Sequence, residues 1–439
     1  MTKTLRLERT RVRLESYGCT SNQGASEIMA GLLQQAGFEI SWGQGEADLI
    51  ILNTCIVKSA THSKMLRRLR KIGEDTPSIP LIVAGCMPQV YKDDILQIAP
   101  NVSVMGPHDL RSIVAIARSS LAGHLIGDVS DREREEIRLN FPRLRQNSLS
   151  GIVQIARGCL SSCSYCIVKK VMGNVQSYPP EQILEEIKTC IRDGCREILL
   201  TAQDLGVYGT DIGNSLSALL ERILSYLPPN VRLRLGMLNP GSLRTELDNL
   251  LNIISHKSVY SMLHLPIQSG DDTVLQTMGR SYSISEFKRI VNQIRLANPH
   301  MTIHTDVIVG FPSETETAFE NTVDLIKWLK PDVVNISKFS PRPGTKAAQM
   351  KLLPSQIIKA RSKALAALCS NISFEKNRNF VKEAFEVLTL RKHGEKEWFG
   401  RTNSYKPVVY TDSSSSLGAL AIVYINSATR THLVGEKCF

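Results

Sequence analysis

Three cysteines stand close together in the segment RGCLSSCSYCIVKK: Cys159, Cys163 and Cys166. Three thiolates at this spacing can hold three irons of a [4Fe-4S] cluster and leave the fourth iron without a protein ligand. An iron that is open in this way can bind and reduce a small molecule. The alternative is a zinc or purely structural site, but zinc normally takes four closed ligands, and no fourth Cys or His stands near this segment as an obvious candidate.

A second set of cysteines is dispersed through the amino-terminal part of the chain. Cys19, Cys55 and Cys86 each stand at the carboxyl end of a predicted strand, in the motifs YGC, LNTC and AGC. In a doubly wound parallel sheet the carboxyl ends of the strands line one crevice, so three such thiols can converge on one cluster. The alternative is three ordinary buried thiols, because free cysteine is commonly buried. The residues alone leave both interpretations open.

The elements that must position these cysteines form two strand and helix series, followed by a different tail. Alternating apolar runs and helices predict a doubly wound parallel α/β sheet over residues 1–127. The charged stretch 128–147 has little apolar periodicity and predicts a linker. Six strand-like runs separated by amphipathic helices predict a partial (β/α)6 barrel over residues 148–374, with chemistry at the carboxyl ends of its strands. Short β-type runs with turn residues predict a small all-β domain over residues 375–439.

The composition restricts the partners and the compartment. The chain carries 53 Lys+Arg against 42 Asp+Glu, a net charge of +11, which favours a polyanionic partner, the alternative being a basic solvated surface. The charged start MTKTLRLERTRVRLESYG lacks the apolar core of a signal peptide, and no run of eighteen uncharged apolar residues occurs. We therefore expect a cytoplasmic protein with no membrane partner. In that reducing compartment the 10 cysteines favour metal binding over disulfides.

The motifs resemble two nested families. Tyr165 directly before Cys166 completes a pattern similar to that of the radical S-adenosylmethionine superfamily, which implies an open iron that binds S-adenosylmethionine and cleaves it to a 5′-deoxyadenosyl radical. The order YGC…N…SE, LNTC, AGC, RGC…C.YC and a small β tail resembles the methylthiotransferases over nearly the whole chain. That resemblance implies a second [4Fe-4S] cluster on Cys19, Cys55 and Cys86. It also implies that the tail is a TRAM domain, an RNA-binding β barrel.

Further candidate residues stand at the carboxyl ends of predicted barrel strands and resemble stretches of the family. The predicted cofactor-binding residues are Tyr165, Gln203, Asp204, Gln268, Ser269 and Asp306. The alternative for the polar ones is helix capping. Arg342, in the stiff loop PRPGT, is the predicted substrate residue. It would meet a carboxylate or a phosphate, and the alternative is a surface arginine in a rigid turn.

Two basic segments are predicted RNA contacts. The first is a helix that carries Lys64, Arg67, Arg68, Arg70 and Lys71, for which the alternative is a solvated face. The second is the tail, which carries Arg391, Lys392, Lys396, Arg401 and Lys406 interleaved with Trp398 and Tyr405. Its alternative is an appendage that packs on the barrel. Four other cysteines have no partners at metal spacing and no assigned function: Cys190, Cys195, Cys369 and Cys438.

The family's branches act on N6-isopentenyladenosine, on N6-threonylcarbamoyladenosine or on an aspartate of a ribosomal protein. The stretches YGCTSNQGASEIMAGLL and RGCLSSCSYCIVKK are most similar to the archaeal and eukaryotic threonylcarbamoyladenosine branch. The resemblance thus predicts methylthiolation of that nucleoside next to the tRNA anticodon, with the other two targets as alternatives. It implies tRNA, S-adenosylmethionine, an electron donor such as a ferredoxin or flavodoxin, and a sulfur donor. A non-catalytic RNA-binding protein with structural metal sites is the alternative of a different class.

Overall fold

The computed structural model describes residues 10–43, 45–56, 59–127, 137–244 and 246–438. The chain divides into two compact units, Met1–Asn147 with Lys170–Gly173, and Ser148–Lys169 with Asn174–Phe439. Residues 128–136 of the predicted linker lie outside the described residues. No helix of the described part is both long enough and apolar enough to cross a membrane.

The first unit is built on a parallel sheet. Its strands are β1 (Arg11–Ser16), β2 (Glu39–Trp42), β3 (Leu49–Thr54), β4 (Leu81–Gly85) and β5 (Ser103–Met105). Its helices are α1 (Thr20–Gln35), α2 (Ser59–Asp75), α3 (Pro88–Ile98) and α4 (Ile113–Leu121). The strand order is β2-β1-β3-β4-β5. Strands β3 and β4 are buried along their whole length, because helices cover both faces of a parallel sheet. The predicted doubly wound sheet is confirmed.

The described part of the predicted linker is an ordered strap across α1. The backbone N–H of Leu144 donates to the carbonyl of Glu27 at 3.0 Å, and Phe141 and Leu144 pack against the hydrophobic core of this unit. A Cβ at Gly31 would stand 2.3 Å from the carbonyl oxygen of Pro142, so only glycine lets the strap pass this close to the helix. Leu139 of the strap is buried as well, so the described part of the predicted linker packs on this unit.

The strap covers Glu27, which is 1% exposed. Burial raises the pKa of this carboxyl from 4.5 to about 7, against the opposing charges of Arg143 and Arg145. Because the folded pKa lies above the unfolded one, the group contributes stability at low pH that is lost as pH rises from about 4.5 to about 7.

We predict that Glu27→Gln flattens the pH dependence of stability. The wild-type free energy of unfolding should fall by up to about 3 kcal/mol more than that of the variant as pH rises through this window. Denaturant unfolding at several pH values between 5 and 8 measures the difference. The exposed Glu39→Gln should keep the wild-type profile, and parallel profiles for Glu27→Gln and wild type would contradict the prediction.

The second unit begins with a partial barrel. Its strands are β6 (Ser150–Gln154), β7 (Ala156–Arg157), β8 (Gln176–Ser177), β9 (Glu197–Thr201), β10 (Arg232–Arg234), β11 (Met262–His264), β12 (Thr302–Val309) and β13 (Val333–Lys338). The helices that follow α4 along the chain are α5 (Ile167–Met172), α6 (Pro180–Arg192), α7 (Leu216–Leu224), α8 (Leu247–Ile254), α9 (Asp272–Met278), α10 (Ile284–Ala297), α11 (Glu316–Leu329) and α12 (Ser355–Arg378). Short 3-10 helices are Leu205–Val207, Pro240–Leu243 and Lys346–Gln349.

Six of these strands run parallel in the order β6-β9-β10 and β11-β12-β13. Parallel bridges from Leu233 to Val259 and from Met237 to His264 join the two halves. The predicted (β/α)6 barrel is therefore confirmed. Local sequence sets the helix ends: Ser283 and Glu286 form a capping box at the start of α10, for example.

The tail forms a closed β barrel, as predicted. Its strands are β14 (Ala384–Lys392), β15 (Glu397–Thr402), β16 (Pro407–Thr411), β17 (Leu420–Ala428) and β18 (Leu433–Lys437). Their order is β14-β15-β16-β18-β17. The interior holds Val387, Val408, Tyr410, Val423, Ile425 and Leu433. Helix α12 runs through residue 375, so the first strand begins later than the sequence pattern suggested.

The turn between β15 and β16 packs on the amino ends of the six-stranded barrel. Nε of Arg401 lies 3.2 Å from Oε1 of Glu197, which opens β9. The Tyr405 ring stacks edge-on against Tyr260 at 4.8 Å between ring centroids. Of the tail residues predicted to contact RNA, Lys406 is buried here and Arg401 and Tyr405 are partly buried. For these three the packing alternative holds.

Lys406 makes the second ion pair of this interface. Its Nζ lies 2.7 Å from Oδ1 of Asp332, which precedes β13 and is also paired with Lys376 at 2.6 Å. By contrast Arg391, Lys392 and Lys396 are exposed, and they stay the predicted RNA contacts of the tail.

We predict that Arg401→Met destabilises the protein by about 3 kcal/mol or more, because it leaves the Glu197 carboxylate buried without its cation. Arg391→Met is the matched control: its guanidinium also lies over the Phe399 ring but is exposed. Thermal unfolding and tRNA affinity should separate the two, with Arg401→Met lowering Tm and Arg391→Met weakening only tRNA binding. A stable Arg401→Met protein that has lost tRNA affinity would reverse these roles.

Candidate metal centres

The three dispersed cysteines of the first unit stand at adjacent strand ends. Cys19 is the residue before α1, Cys55 follows β3, and Cys86 follows β4. Strands β1, β3 and β4 are neighbours in the sheet, and the backbone N–H of Cys86 donates to the carbonyl of Thr54 at 3.1 Å. The sheet thus carries all three residues to one edge.

Glycines allow this close approach. Gly18 has φ +118°, and a Cβ there would lie 2.6 Å from Cβ and 2.9 Å from Sγ of Cys55. Gly85 has φ +95°, and a Cβ there would lie 2.3 Å from Oδ1 of Asn53. Only glycine fits both the positive φ and the missing space. This is the physical reason for the glycine in YGC and in AGC.

The thiols of this set are close enough to oppose one another's ionisation. Burial raises the pKa of Cys86, and the neighbouring Cys19 and Cys55 raise it further, whereas Arg138 acts in the opposite direction. Bound metal removes this penalty, since coordination deprotonates a thiol outright. Within the described ranges no three Cys, His, Asp or Glu side chains form a site for a single metal ion. Cysteine thiolates are the usual protein ligands of iron-sulfur clusters.

A buried polar network that sequence reasoning missed holds α1 against the strand ends. Nδ2 of Asn53 donates to the carbonyl of Asn22 at 2.9 Å and to Oγ of Ser26 at 2.7 Å. Oγ of Ser26 donates to Oγ of Ser16 at 2.8 Å. The available signal was the position of these polar residues inside the YGC and LNTC segments, next to the cysteines.

The other three cysteines lie on the loop that follows β7. The backbone N–H of Ser161 donates to Sγ of Cys159 at 3.4 Å, and that of Cys166 to the carbonyl of Cys163 at 3.1 Å. Burial raises the pKa of Cys166, and the Cys163 and Cys159 thiols add to the effect. The three thiols are therefore close enough to oppose one another's ionisation.

Arg280 is a cation beside this loop that sequence reasoning missed, because no motif or spacing marks it. Nη1 donates to Sγ of Cys163 at 3.4 Å, Nη2 to Oδ1 of Asn239 at 2.8 Å, and Nε to the hydroxyl of Tyr282 at 3.2 Å. Burial opposes the charge, but Tyr282, Tyr165 and Cys163 together hold the pKa of Arg280 above its ordinary value.

The predicted pair Gln203 and Asp204 separates into two roles. Oε1 of Gln203 is buried and has no hydrogen-bond partner in the described part of the chain, so it is available to a ligand. Asp204 is engaged: the N–H groups of Gly206 and Asn239 donate to Oδ1, each at 3.0 Å, and Oγ of Ser242 donates to Oδ2 at 2.7 Å. Asp204 caps the 3-10 helix Leu205–Val207, which is the capping alternative.

Of the remaining polar candidates, Gln268 and Ser269 follow β11, whereas Asp306 lies inside β12 rather than at its carboxyl end as predicted. Gln268 has φ 71°. Its backbone N–H donates to the carbonyl of Asp306 at 2.8 Å, and its carbonyl accepts from the N–H of Ile308 at 2.9 Å. Ser269 is buried, and its Oγ accepts from the N–H of Asp271, a capping contact. Oδ2 of Asp306 lies 2.7 Å from Nε2 of His264, a partner that sequence reasoning missed.

Tyr165 lies on this cysteine loop, and Ala347, five residues after Arg342, contacts the loop. The Tyr165 ring lies 6.3 Å from that of Phe311, edge-on, within an apolar cluster that includes Ala347. The N–H of Ala347 donates to the carbonyl of Ser164 at 2.9 Å. Arg342 is only 6% exposed, so the alternative of a surface arginine is wrong.

The predicted basic helix is α2. Arg68 is used internally, since its Nε donates to Oε2 of Glu15 at 2.7 Å. The other four basic residues of the helix, Lys64, Arg67, Arg70 and Lys71, are exposed and stay predicted RNA contacts.

Comparison with known proteins identifies both units. A model described as "Uncharacterized protein family UPF0004" matches residues 11–106, and one described as "Radical SAM superfamily" matches residues 153–326. The "Probable threonylcarbamoyladenosine tRNA methylthiotransferase" of Methanothermobacter thermautotrophicus is 39% identical over 97% of this chain and 99% of its own length. The corresponding proteins of Drosophila melanogaster and Homo sapiens are 36% and 33% identical over 97% of this chain, and the match covers 77% and 74% of theirs.

Solved structures support the fold. The radical S-adenosylmethionine methyltransferase TsrM from Kitasatospora setae, whose structure holds cobalamin and a [4Fe-4S] cluster, superposes with a TM-score of 0.56. It is 13% identical, and the match covers 78% of this chain and 74% of that protein. At this identity the likeness bears on architecture alone.

Proposed function

The chain belongs to the threonylcarbamoyladenosine tRNA methylthiotransferases, and from this membership we propose how its residues serve that reaction. The enzyme converts N6-threonylcarbamoyladenosine next to the anticodon of tRNA to its 2-methylthio derivative, using S-adenosylmethionine and a [4Fe-4S] cluster. The observation that carries the proposal is a cysteine triad at strand carboxyl ends in each unit.

In this proposal Cys159, Cys163 and Cys166 hold the cluster that binds S-adenosylmethionine. Cys19, Cys55 and Cys86 of the first unit hold a second [4Fe-4S] cluster. The chemistry that these groups supply when bound is reductive formation of a 5′-deoxyadenosyl radical and delivery of a methylated sulfur. No acid or base is required of the protein for attack on an unactivated aromatic C–H bond. The protein's task is to orient the groups and to exclude water.

The residues around the loop that carries Cys159, Cys163 and Cys166 suit that task. Gln203 offers a buried acceptor to the cofactor, and Asp204 fixes the segment that carries Asn239. The Tyr165 ring, on the loop itself, packs into an apolar cluster that anchors the loop. A cavity of about 500 Å³ adjoins the loop, and it is lined by serine, threonine and asparagine side chains together with apolar residues and the carboxylate of Glu246.

The substrate carries a carboxylate on its threonyl group, which must meet a cation or several donors because a buried carboxylate without a partner is costly. Arg342 is the proposed cation. Its burial disfavours the alternative of a contact with the tRNA backbone at the surface. A low-potential ferredoxin or flavodoxin as electron donor and a separate sulfur donor complete the proposed partners.

Nucleoside mass spectrometry tests the function. Reconstituted enzyme should convert threonylcarbamoylated tRNA to the 2-methylthio product and leave isopentenylated tRNA and ribosomal protein unmodified. Efficient methylthiolation of either alternative target would refute the substrate assignment. Protein that is colourless after anaerobic purification and reconstitution would favour a non-catalytic RNA-binding protein instead.

For Arg342→Ala we predict loss of activity on threonylcarbamoylated tRNA, because the variant removes the cation that offsets the substrate carboxylate. Affinity for unmodified tRNA should stay nearly constant, measured by filter binding at physiological salt. Lys346→Ala, at the start of the 3-10 helix that follows this loop and exposed, is the matched control and should keep activity. A fall in affinity for unmodified tRNA that matches the loss of activity would mark Arg342 as a backbone contact.

A further inference from the structure

We infer that Arg280 is a charge-compensating residue of the cluster held by Cys159, Cys163 and Cys166, and that it makes this cluster easier to reduce. The inference rests on the proposed function, because it takes the cysteine loop to be the cluster site. Arg280 lies outside the cysteine motif, so the spacing of the cysteines does not indicate its role.

The first observation is the position of the guanidinium. It donates to Sγ of Cys163, one of the proposed ligands, and also to Oδ1 of Asn239 and to the Tyr282 hydroxyl. A further hydrogen bond goes from Nη2 to the carbonyl of Pro266 at 3.3 Å. These partners come from four separate segments of the second unit, so the guanidinium is fixed in place.

The second observation is the kind of partner. The partners are a thiol, an amide, a hydroxyl and a backbone carbonyl, and none of them is a carboxylate. Within the residues that the structure describes, no carboxylate lies at ion-pair distance from Arg280. Asp204 is linked to Arg280 through Asn239, whose N–H binds Asp204 and whose side chain binds Arg280. A mostly buried cation without an adjacent anion is costly, so the site is electrostatically incomplete.

A cluster on the three thiolates would complete it. Such a cluster with three thiolates carries net negative charge, which increases when an electron is added. A fixed guanidinium bonded to one ligand stabilises the more negative, reduced form more than the oxidised form, because the attraction grows with the charge. Hydrogen bonds to cluster sulfurs raise reduction potentials in the same direction.

The test uses the full chain with Cys19, Cys55 and Cys86 changed to Ala, so that only the cluster of the second unit is measured. Arg280→Gln and Arg280→Lys are made in this background, with Arg244→Gln as a matched control. Arg244 is a cation a few residues from Asn239 along the chain, but its side chain is 47% exposed and pairs with Glu286. Iron content and the midpoint potential, from redox titration followed by electron paramagnetic resonance, are the readouts.

We expect Arg280→Gln to retain iron but to reduce at least tenfold less favourably, a fall of about 59 mV for a one-electron couple. Arg280→Lys and Arg244→Gln should stay near the parent potential. If Arg280→Gln loses its iron, an Arg280→Lys protein that keeps both its iron and the parent potential still supports a role for the positive charge at this position. An unchanged potential in Arg280→Gln, equal shifts in both Arg280 variants, or loss of iron from both would overturn the inference. A parent chain that binds no iron would instead defeat the proposed function.

Discussion

Changing Cys159, Cys163 and Cys166 together to alanine is expected to abolish reductive cleavage of S-adenosylmethionine. The anaerobically reconstituted enzyme should hold about eight iron and about eight acid-labile sulfide per chain, and the triple variant should hold about half of each. The reason is that these thiols would be the protein ligands of the cluster that binds the cofactor. Iron and sulfide assays, with chromatography of 5′-deoxyadenosine, measure both effects.

The matched control changes Cys195, Cys369 and Cys438, which have no assigned metal role. That variant should keep the full iron content and the full rate of cleavage. A variant of the cysteine loop that still held the full complement of iron would remove the basis of the assignment. Loss of all iron would show that the two sites do not form independently.

The second large effect separates radical formation from sulfur insertion. Changing Cys19, Cys55 and Cys86 to alanine should leave cleavage of S-adenosylmethionine near the unaltered rate but stop methylthiolation. We expect this because radical formation needs only the cluster of the second unit, whereas the proposed second cluster delivers sulfur. Parallel measurement of 5′-deoxyadenosine and of the modified nucleoside distinguishes the two steps.

Product formed without the first unit's cysteines would overturn a mechanism with two clusters. A second variant in the same unit tests the geometry without removing a thiol. The segments that carry the cysteines can approach closely only because positions 18 and 85 are glycine. Gly85→Ala should therefore also depress methylthiolation while leaving all six thiols in the chain. Loss of cleavage in the Cys19, Cys55 and Cys86 variant would indicate that the barrel depends on the first unit for its own stability.

The sequence by itself determined the architecture and the chemistry of the metal ligands. Period-two and helical apolar patterns are local properties, so the parallel sheet, the six-stranded barrel and the closed tail barrel could all be predicted from them. Cys159, Cys163 and Cys166 were identifiable because eight consecutive residues bring them together. The dispersed triad needed one more premise, that strands of a doubly wound sheet end at one edge.

Only the tertiary structure decided whether each charged side chain is exposed to solvent or paired inside the protein. Arg391 and Arg401 stand on neighbouring strands of the tail, yet one is exposed and the other is mostly buried against Glu197, some two hundred residues earlier in the chain. Arg280 and His264 acquire their roles in the same way, from Cys163 and Asp306, which are distant in sequence. Whether a cation is solvated, pairs internally or compensates a cofactor depends on which distant groups the fold brings to it, and a local pattern carries no information about that.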